Sequence, residues 1–213
     1  MDTDDYVKKG TTTVAVICKD GVVMGADRRA TAGSLIVNKK TEKVQIINDS
    51  MALTMAGTVS DAQLLTKLIK AETNLKKIRT GRMPNVREVA NMLGNMVYGN
   101  IRKFSIIPGI SHFIMGGMDE EGYHVYDIFA DGSVTEIDDY ITSGSGSVMA
   151  YGVLETLYRK DMTIDEGVKL TVRCINAAIQ RDSASGNGID IISITKDGLK
   201  KVYSKDLTVT AEI

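Results

Sequence analysis

Helical periodicity in this chain comes in two consecutive pairs, with strand periodicity filling the sequence around them, and that grouping limits the possible folds more than any other feature. From Ser60 to Ile78, Leu64, Leu65, Leu68, Ile69 and Leu75 fall at helical spacing, with Ser60 as the expected N-cap and Gly81 as the stop. A second helix follows Pro84 and carries Val89, Met92, Leu93, Met96 and Val97 on one side. The other pair runs from about Ser147 to Arg159 and from Ile164 to about Arg181, the latter entered through Thr163 and Glu166 in a capping-box pattern. Before the first pair, TTTVAVICKDGVVMGADRR reads as strand, tight turn, strand, and KVQIIND with MALTMAG forms a further pair around Asn48-Asp49-Ser50. After Pro108-Gly109 the strand signal returns in SHFIMGGMD, EGYHVYDIFADGS and VTEIDDY, and GIDIISITKDGLKKVYS closes the chain. Four strands, two helices, a few strands, two helices and two strands are grouped rather than alternating, which predicts an α+β fold. Two antiparallel sheets, each with a helical layer outside it, bury all of these faces.

The length of 213 residues suits one sizeable domain, and no repeat, low-complexity run or linker divides it. A net charge of −1 gives no reason to expect a nucleic-acid or anionic-membrane partner. No apolar run approaches the ~18 residues that span a bilayer, and the N-terminus has no apolar signal region. The two cysteines, Cys18 and Cys174, read as small core residues in a reducing compartment. The two histidines, His112 and His124, lie in strand-like stretches without metal-ligand spacing, so no metal site is expected and structural roles fit them. Neither sits beside an evident nucleophile and GxSxG is absent, which argues against a Ser-His-Asp triad. TSGSGSVMAYG lacks the GK[ST] of a phosphate-binding loop, and no cofactor is implied.

What remains is the junction MDTDDYVKKG-TTTVAV. A polar ten-residue tail ends at Gly10 and three threonines head an apolar run. One reading is a frayed terminus joined to a first strand. The other is a cleavage point after Gly10, which makes residues 1–10 a propeptide and 11–213 the working domain. A free N-terminal threonine holds nucleophile and base in one residue: its hydroxyl attacks a carbonyl, and its α-amine, with a pKa of ~8, accepts the proton. Inside the chain the Thr11 nitrogen is a non-basic amide, so this chemistry requires the cut.

GTTTVAV, GADRRATAG, EKV, MAGTVSDAQ, GSGSVMAYGVLE and RDSASGNG, in that order and with those gaps, resemble the β subunits of the proteasome, the archaeal type above all. The resemblance covers Gly10 to about Gly188 and implies a four-layer αββα sandwich of the N-terminal-nucleophile hydrolase kind. It also implies a role for each matching residue. Thr11 is the nucleophile and base, Lys43 lies beside its hydroxyl, and Asp27 holds Lys43 charged and oriented. Gly57 supplies the backbone N–H that stabilises the oxyanion, a donor typically worth ~3 kcal/mol. Ser145, Asp182 and Ser185 surround the terminal amine. Taken singly, each has a plainer reading: Asp27 as a strand-end partner of Arg28 or Arg29, Lys43 as a solvated strand lysine, Gly57 as a helix-entry turn, Ser145 as an N-cap, and Asp182 with Ser185 as a helix-end loop.

By the same resemblance Thr31 and Gly57 pair with an extended peptide substrate. Ala30, Gln45, Met55 and Val59 line the pocket for the side chain before the scissile bond. That lining is mostly apolar without a charged residue, which favours cleavage after hydrophobic residues. Strand alternation points Arg28 away from Asp27. The implied assembly is two stacked seven-membered β rings capped by rings of α subunits, in the cytoplasm. ATP-dependent unfoldases dock on the α rings, and unfolded polypeptides are the substrates. Two rivals stay open at this point: an inactive β-type scaffold subunit, and the bacterial peptidase of hexameric rings partnered with an ATPase.

Overall fold

A computed structural model describes residues 10–106 and 108–207. The expected propeptide, apart from Gly10, lies outside the described residues. The first sheet contains β1 (Thr13–Cys18), β2 (Gly21–Asp27), β10 (Tyr140–Ser143), β11 (Gly188–Thr195) and β12 (Gly198–Asp206), in the order β10-β1-β2-β11-β12. The second contains β5 (Val44–Asn48), β6 (Met51–Gly57), β7 (Ser111–Asp119), β8 (Gly122–Ile128) and β9 (Val134–Ile137), in sequence order. Every pairing is antiparallel. Helices α1 (Val59–Thr80) and α2 (Val86–Ile101) cover the second sheet, and α3 (Ser147–Leu157) and α4 (Ile164–Ile179) cover the first. This is the expected α+β sandwich.

The period of two sorts side chains into three buried layers. In β1, Val14 and Val16 pack under α3 and α4, whereas Ala15 faces the other sheet. In β7, Phe113 and Met115 pack under α1 and α2, whereas Ile114 faces inward against Ala15, Val22 and Met24 of the first sheet. Central strands are therefore apolar on both faces, as sheets covered on both sides require. Truncating Ile114, wholly enclosed in the middle layer, costs about 2–5 kcal/mol.

The helices start and stop for local reasons. The capping box predicted at Thr163 and Glu166 forms at the head of α4, and an equivalent one at Asn85 and Glu88 heads α2. Gly81 ends α1 in the left-handed region, its N–H donating to the Lys77 carbonyl at 2.9 Å. The start of α1 differs from expectation. Ser60 is not the N-cap: the helix begins at Val59, after Thr58, and no side chain caps it. The positive φ of Gly57, 104°, turns the chain straight from β6 into the helix, and the Thr58 N–H is satisfied by the Ile110 carbonyl at 2.7 Å. Of the apolar residues read on α1, Leu65 and Ile69 are buried, while Leu64, Leu68 and Leu75 face outward.

Two further differences concern strands. The stretch around ATAG forms a small ribbon, β3 (Ala30–Ala32) with β4 (Leu35–Asn38). VTEIDDY breaks into β9 and β10, because the chain leaves one sheet at Asp138-Asp139 to pair with β1 in the other. That crossing brings the loop after β10 to the start of β1.

Antiparallel registers then gather one set of strand ends. Thr13, near the start of β1, pairs with Ala26 near the end of β2 and with Ser143 at the end of β10. Ile189 at the start of β11 pairs with Asp27, and Val44 at the start of β5 pairs with Thr54 late in β6. Residues just outside these ends share one edge of the sandwich.

Candidate active site

Thr11, Asp27, Lys43, Gly57, Ser145, Asp182 and Ser185 all lie at that edge. Asp27 ends β2 and is 1% exposed. Its Oδ1 accepts from the Thr12 N–H at 2.9 Å and from Lys43 Nζ at 2.7 Å. Its Oδ2 accepts from the backbone N–H groups of Arg29 and Gly186, both at 2.9 Å. Four donors leave this carboxylate one orientation.

Lys43 is 4% exposed and has Asp27 as its ion partner. Burial pushes its ammonium below the ordinary lysine value, with Asp27 and then Asp182 pulling the other way. The net effect is an oriented ammonium that holds its proton less tightly than a surface lysine does. Besides Asp27, Nζ reaches the Gly10 carbonyl oxygen at 3.5 Å. Thr11 Oγ1 donates to the same oxygen at 2.6 Å. The hydroxyl and the ammonium thus converge on the carbonyl of the Gly10–Thr11 bond.

The second cluster lies on the nitrogen side of Thr11. The Thr11 N–H donates to Ser145 Oγ at 3.3 Å, and Ser145 Oγ donates to Asp182 Oδ2 at 2.5 Å. Ser185 Oγ donates to the same oxygen at 2.6 Å. Because that proton is committed, Thr12 Oγ1 is the donor in its 2.7 Å contact with Ser185 Oγ. Thr12 is a participant that sequence reasoning missed. It sits mid-run in TTT, where nothing distinguishes it, yet its amide binds Asp27 and its hydroxyl joins the serine cluster.

Gly57 lines the pocket shared by Gly10, Thr11 and Lys43, and a Cβ there would meet the Ile110 carbonyl at 2.3 Å. Ala30, Thr31, Met55 and Val59 line the same pocket, and Thr31 Oγ1 accepts from the Gly10 N–H at 3.3 Å. Gln45 does not. It lines a larger neighbouring cleft that shares Thr41 and Met55 with the first, and its Oε1 accepts from Lys70 Nζ at 3.3 Å. The expectation of a lining without charge also needs correction. Arg29 and Lys43 border the first pocket, and Lys40, Lys67 and Lys70 border the cleft against a single carboxylate, Glu42. Arg29 follows the end of β2, and the other charges arrive from α1 and the loop before β5, which sequence spacing does not connect.

The two arginines after Asp27 are both occupied. Arg28 turns to Asp190, Asp206 and Ser204, away from Asp27 as strand alternation suggested. Arg29 donates to Asn187 Oδ1 at 2.8 Å and to the Ser183 carbonyl at 2.7 Å.

His112 corrects the expectation that neither histidine neighbours a hydroxyl of nucleophile type. Its Nδ1 lies 2.7 Å from Ser143 Oγ, and its Nε2 bonds Asp127. Ser143 is buried, and the three residues tie β10 to β7 and β8. Both cysteines are buried and free, and burial pushes their thiols up to about 12, as suits inert core residues.

Comparison with known proteins agrees with this architecture. The family model described as "Proteasome subunit" matches residues 7–194. A "Proteasome subunit beta" of Ferroglobus placidus is 47% identical over 192 residues, 90% of each chain. One of Archaeoglobus fulgidus is 44% identical over 91% of this chain and 89% of its own. One of Methanosarcina barkeri is 42% identical over 97% and 96%. With a match over most of its length and these relatives, the chain belongs to the proteasome subunit family, on its β side.

Proposed function

We propose that this chain is a threonine endopeptidase subunit of a 20S-type proteasome core, made as a precursor that Thr11 itself cuts after Gly10. The observation that carries the reading is the convergence of Thr11 Oγ1, at 2.6 Å, and Lys43 Nζ, at 3.5 Å, on the Gly10 carbonyl oxygen.

In the first cut, Thr11 Oγ attacks the Gly10 carbonyl carbon. The hydroxyl proton leaves through the Lys43, Ser145 and Asp182 network by way of a water. The oxyanion is met by the Lys43 ammonium and the Gly57 N–H. Collapse breaks the C–N bond, the Thr11 nitrogen takes a proton, and Gly10 is left as an ester on Oγ. Water hydrolyses the ester to a free Gly10 carboxyl and a free Thr11 with a basic amine. Substrate peptides then follow the same course with that amine as base, held by Ser145 beside Asp182 and Ser185. The lowered proton affinity of Lys43 supports both stages, because it eases proton movement next to the hydroxyl.

An extended peptide adds alongside Thr31 and Gly57, with its side chain before the scissile bond against Ala30, Met55 and Val59. The apolar lining favours hydrophobic residues there. Cations fit worst, since the cleft beyond Met55 is itself basic. Family membership implies assembly into core rings with α subunits; in our reading the β rings are heptameric and stacked in pairs, with the α rings outside, in the cytoplasm. Unfoldases feed unfolded chains through the α rings. An inactive scaffold role fits poorly with an intact, bonded Thr11, Asp27 and Lys43, and a hexameric-ring peptidase fits poorly with the family match. A probe that acylates a terminal threonine, applied to particles assembled with α subunits, tests the reading. Labelling at Thr11 together with peptide hydrolysis is expected, and unlabelled, inactive particles would contradict it.

A further inference from the structure

A reason for glycine at position 10 stands beside it, at Ala184. A Cβ at position 10 would fall 1.6 Å from the Cβ of Ala184, with the Ala184 Cα at 2.7 Å and carbonyl carbon at 2.9 Å. The Ala184 methyl occupies the space that a side chain at position 10 would take.

The loop carrying Ala184 has little room to retreat. The Ala184 N–H donates to Asp182 Oδ1 at 3.1 Å, and the Ser185 N–H to the Asp182 carbonyl at 3.2 Å. Arg29 holds the Ser183 carbonyl, and the Gly186 N–H is bound to Asp27. A shift of this loop would disturb Asp182, Ser185 and Asp27 together. On its other side Gly10 is held by Thr31 Oγ1 through its N–H and by Thr11 Oγ1 through its carbonyl.

We propose that Ala184 is a positioning residue for cleavage of the Gly10–Thr11 bond: its methyl group presses the junction against Thr11 and Lys43 and restricts position 10 to glycine. The inference rests on the reading that Thr11 cuts this bond. A side chain at position 10 must push either the junction or the loop out by more than 1 Å, and misplacement on that scale costs about 10²-fold in rate.

The test is a double-mutant cycle on the full chain assembled with α subunits, with the rate of loss of residues 1–10 read by intact mass on assembled particles. Gly10→Ala is expected to slow processing about 10²-fold when position 184 is Ala. In an Ala184→Gly background the same substitution is expected to cost about tenfold or less, because the overlapping methyl is gone and the more flexible loop absorbs the remaining backbone approach. Gly10→Ser carries the same Cβ and serves as a second variant with the same expectation. Wild-type-like processing of either position-10 variant beside Ala184 would overturn the proposal. So would an equal slowing in both backgrounds, which would place the glycine requirement elsewhere. Failure of the underlying reading looks different: wild-type particles would keep residues 1–10, or Thr11→Ala particles would lose them.

Discussion

Asp27 accepts four hydrogen bonds and is almost wholly buried, whereas the lysines of the cleft beyond Met55 lack any carboxylate within ion-pair distance among the described residues. In the proposed reading, these adjoining regions are the reaction end and the specificity end of one substrate path. At the reaction end Asp27 and Lys43 form a buried ion pair, so removing one leaves the other uncompensated. At the specificity end, Lys40 and Lys67 are exposed, so their charges are screened, and the Lys70–Gln45 contact is only half-buried. The difference implies large, non-additive effects of mutation at the first end and small, graded ones at the second.

The largest effect is expected at Lys43. Lys43→Ala should reduce hydrolysis of a fluorogenic peptide by about 10²–10⁴-fold and block loss of the tail. Lys43→Arg should not restore either, since a planar, permanently charged guanidinium cannot pass a proton in that space. Lys43→Ala also strands the Asp27 charge and should lower stability by about 3–5 kcal/mol. Adding Asp27→Asn should recover much of the stability and none of the activity. Wild-type-like turnover in Lys43→Arg would erase the contrast between the two ends.

The pH dependence of stability isolates the same pair. The folded-state pKa of Lys43 is depressed from the ordinary 10.5, so between the two values the unfolded chain binds the extra proton. That penalty is complete below the depressed value and fades as pH rises towards 10.5. Tyr126, Tyr140 and Tyr158, pushed up to about 12 by burial, act in the opposite sense above their ordinary value. The informative quantity is therefore a difference: wild type minus the Lys43→Met, Asp27→Asn variant should become more favourable as pH rises below 10.5. A flat difference in urea melts would contradict the buried pairing.

Specificity should respond more gently. Peptides presenting Leu, Phe or Tyr before the scissile bond should exceed one presenting Glu, and that one should exceed Arg, with steps of about 1–3 kcal/mol in kcat/KM. Lys67→Glu should narrow the gap for Arg without changing turnover of the Leu peptide. A preference for Arg in the unaltered protein would overturn the assignment of this pocket. The smallest effect is expected at Gln45, which faces the cleft. Gln45→Ala should change turnover of the Leu peptide by less than about 0.5 kcal/mol, as for a surface substitution.

The same contrast explains what could be read in the sequence. Grouped periodicities predicted two sheets and two helical layers, because burial on both faces writes long apolar runs into β1, β2, β7 and β11. The candidate reaction end was legible through the family resemblance, which picked out Thr11 behind a glycine together with Asp27 and Lys43, and the structure brings these three together. Local signals were less dependable where tertiary contacts take over. Ser60 has the composition of an N-cap, but Gly57 and Ile110 already close that turn. β10 is a continuation of β9 in sequence and belongs to the opposite sheet in space. The basic cleft joins α1 to the loop before β5, and Ala184 meets Gly10 from the far end of the chain. Neither proximity leaves a mark in spacing.

The central claim is that Thr11 cuts the bond before itself, and intact mass of particles assembled with α subunits tests it most directly. Wild-type chains should lose residues 1–10, and particles built only from Thr11→Ala chains should keep them. Loss of the tail from Thr11→Ala particles, with no wild-type subunit and no outside protease present, would contradict it.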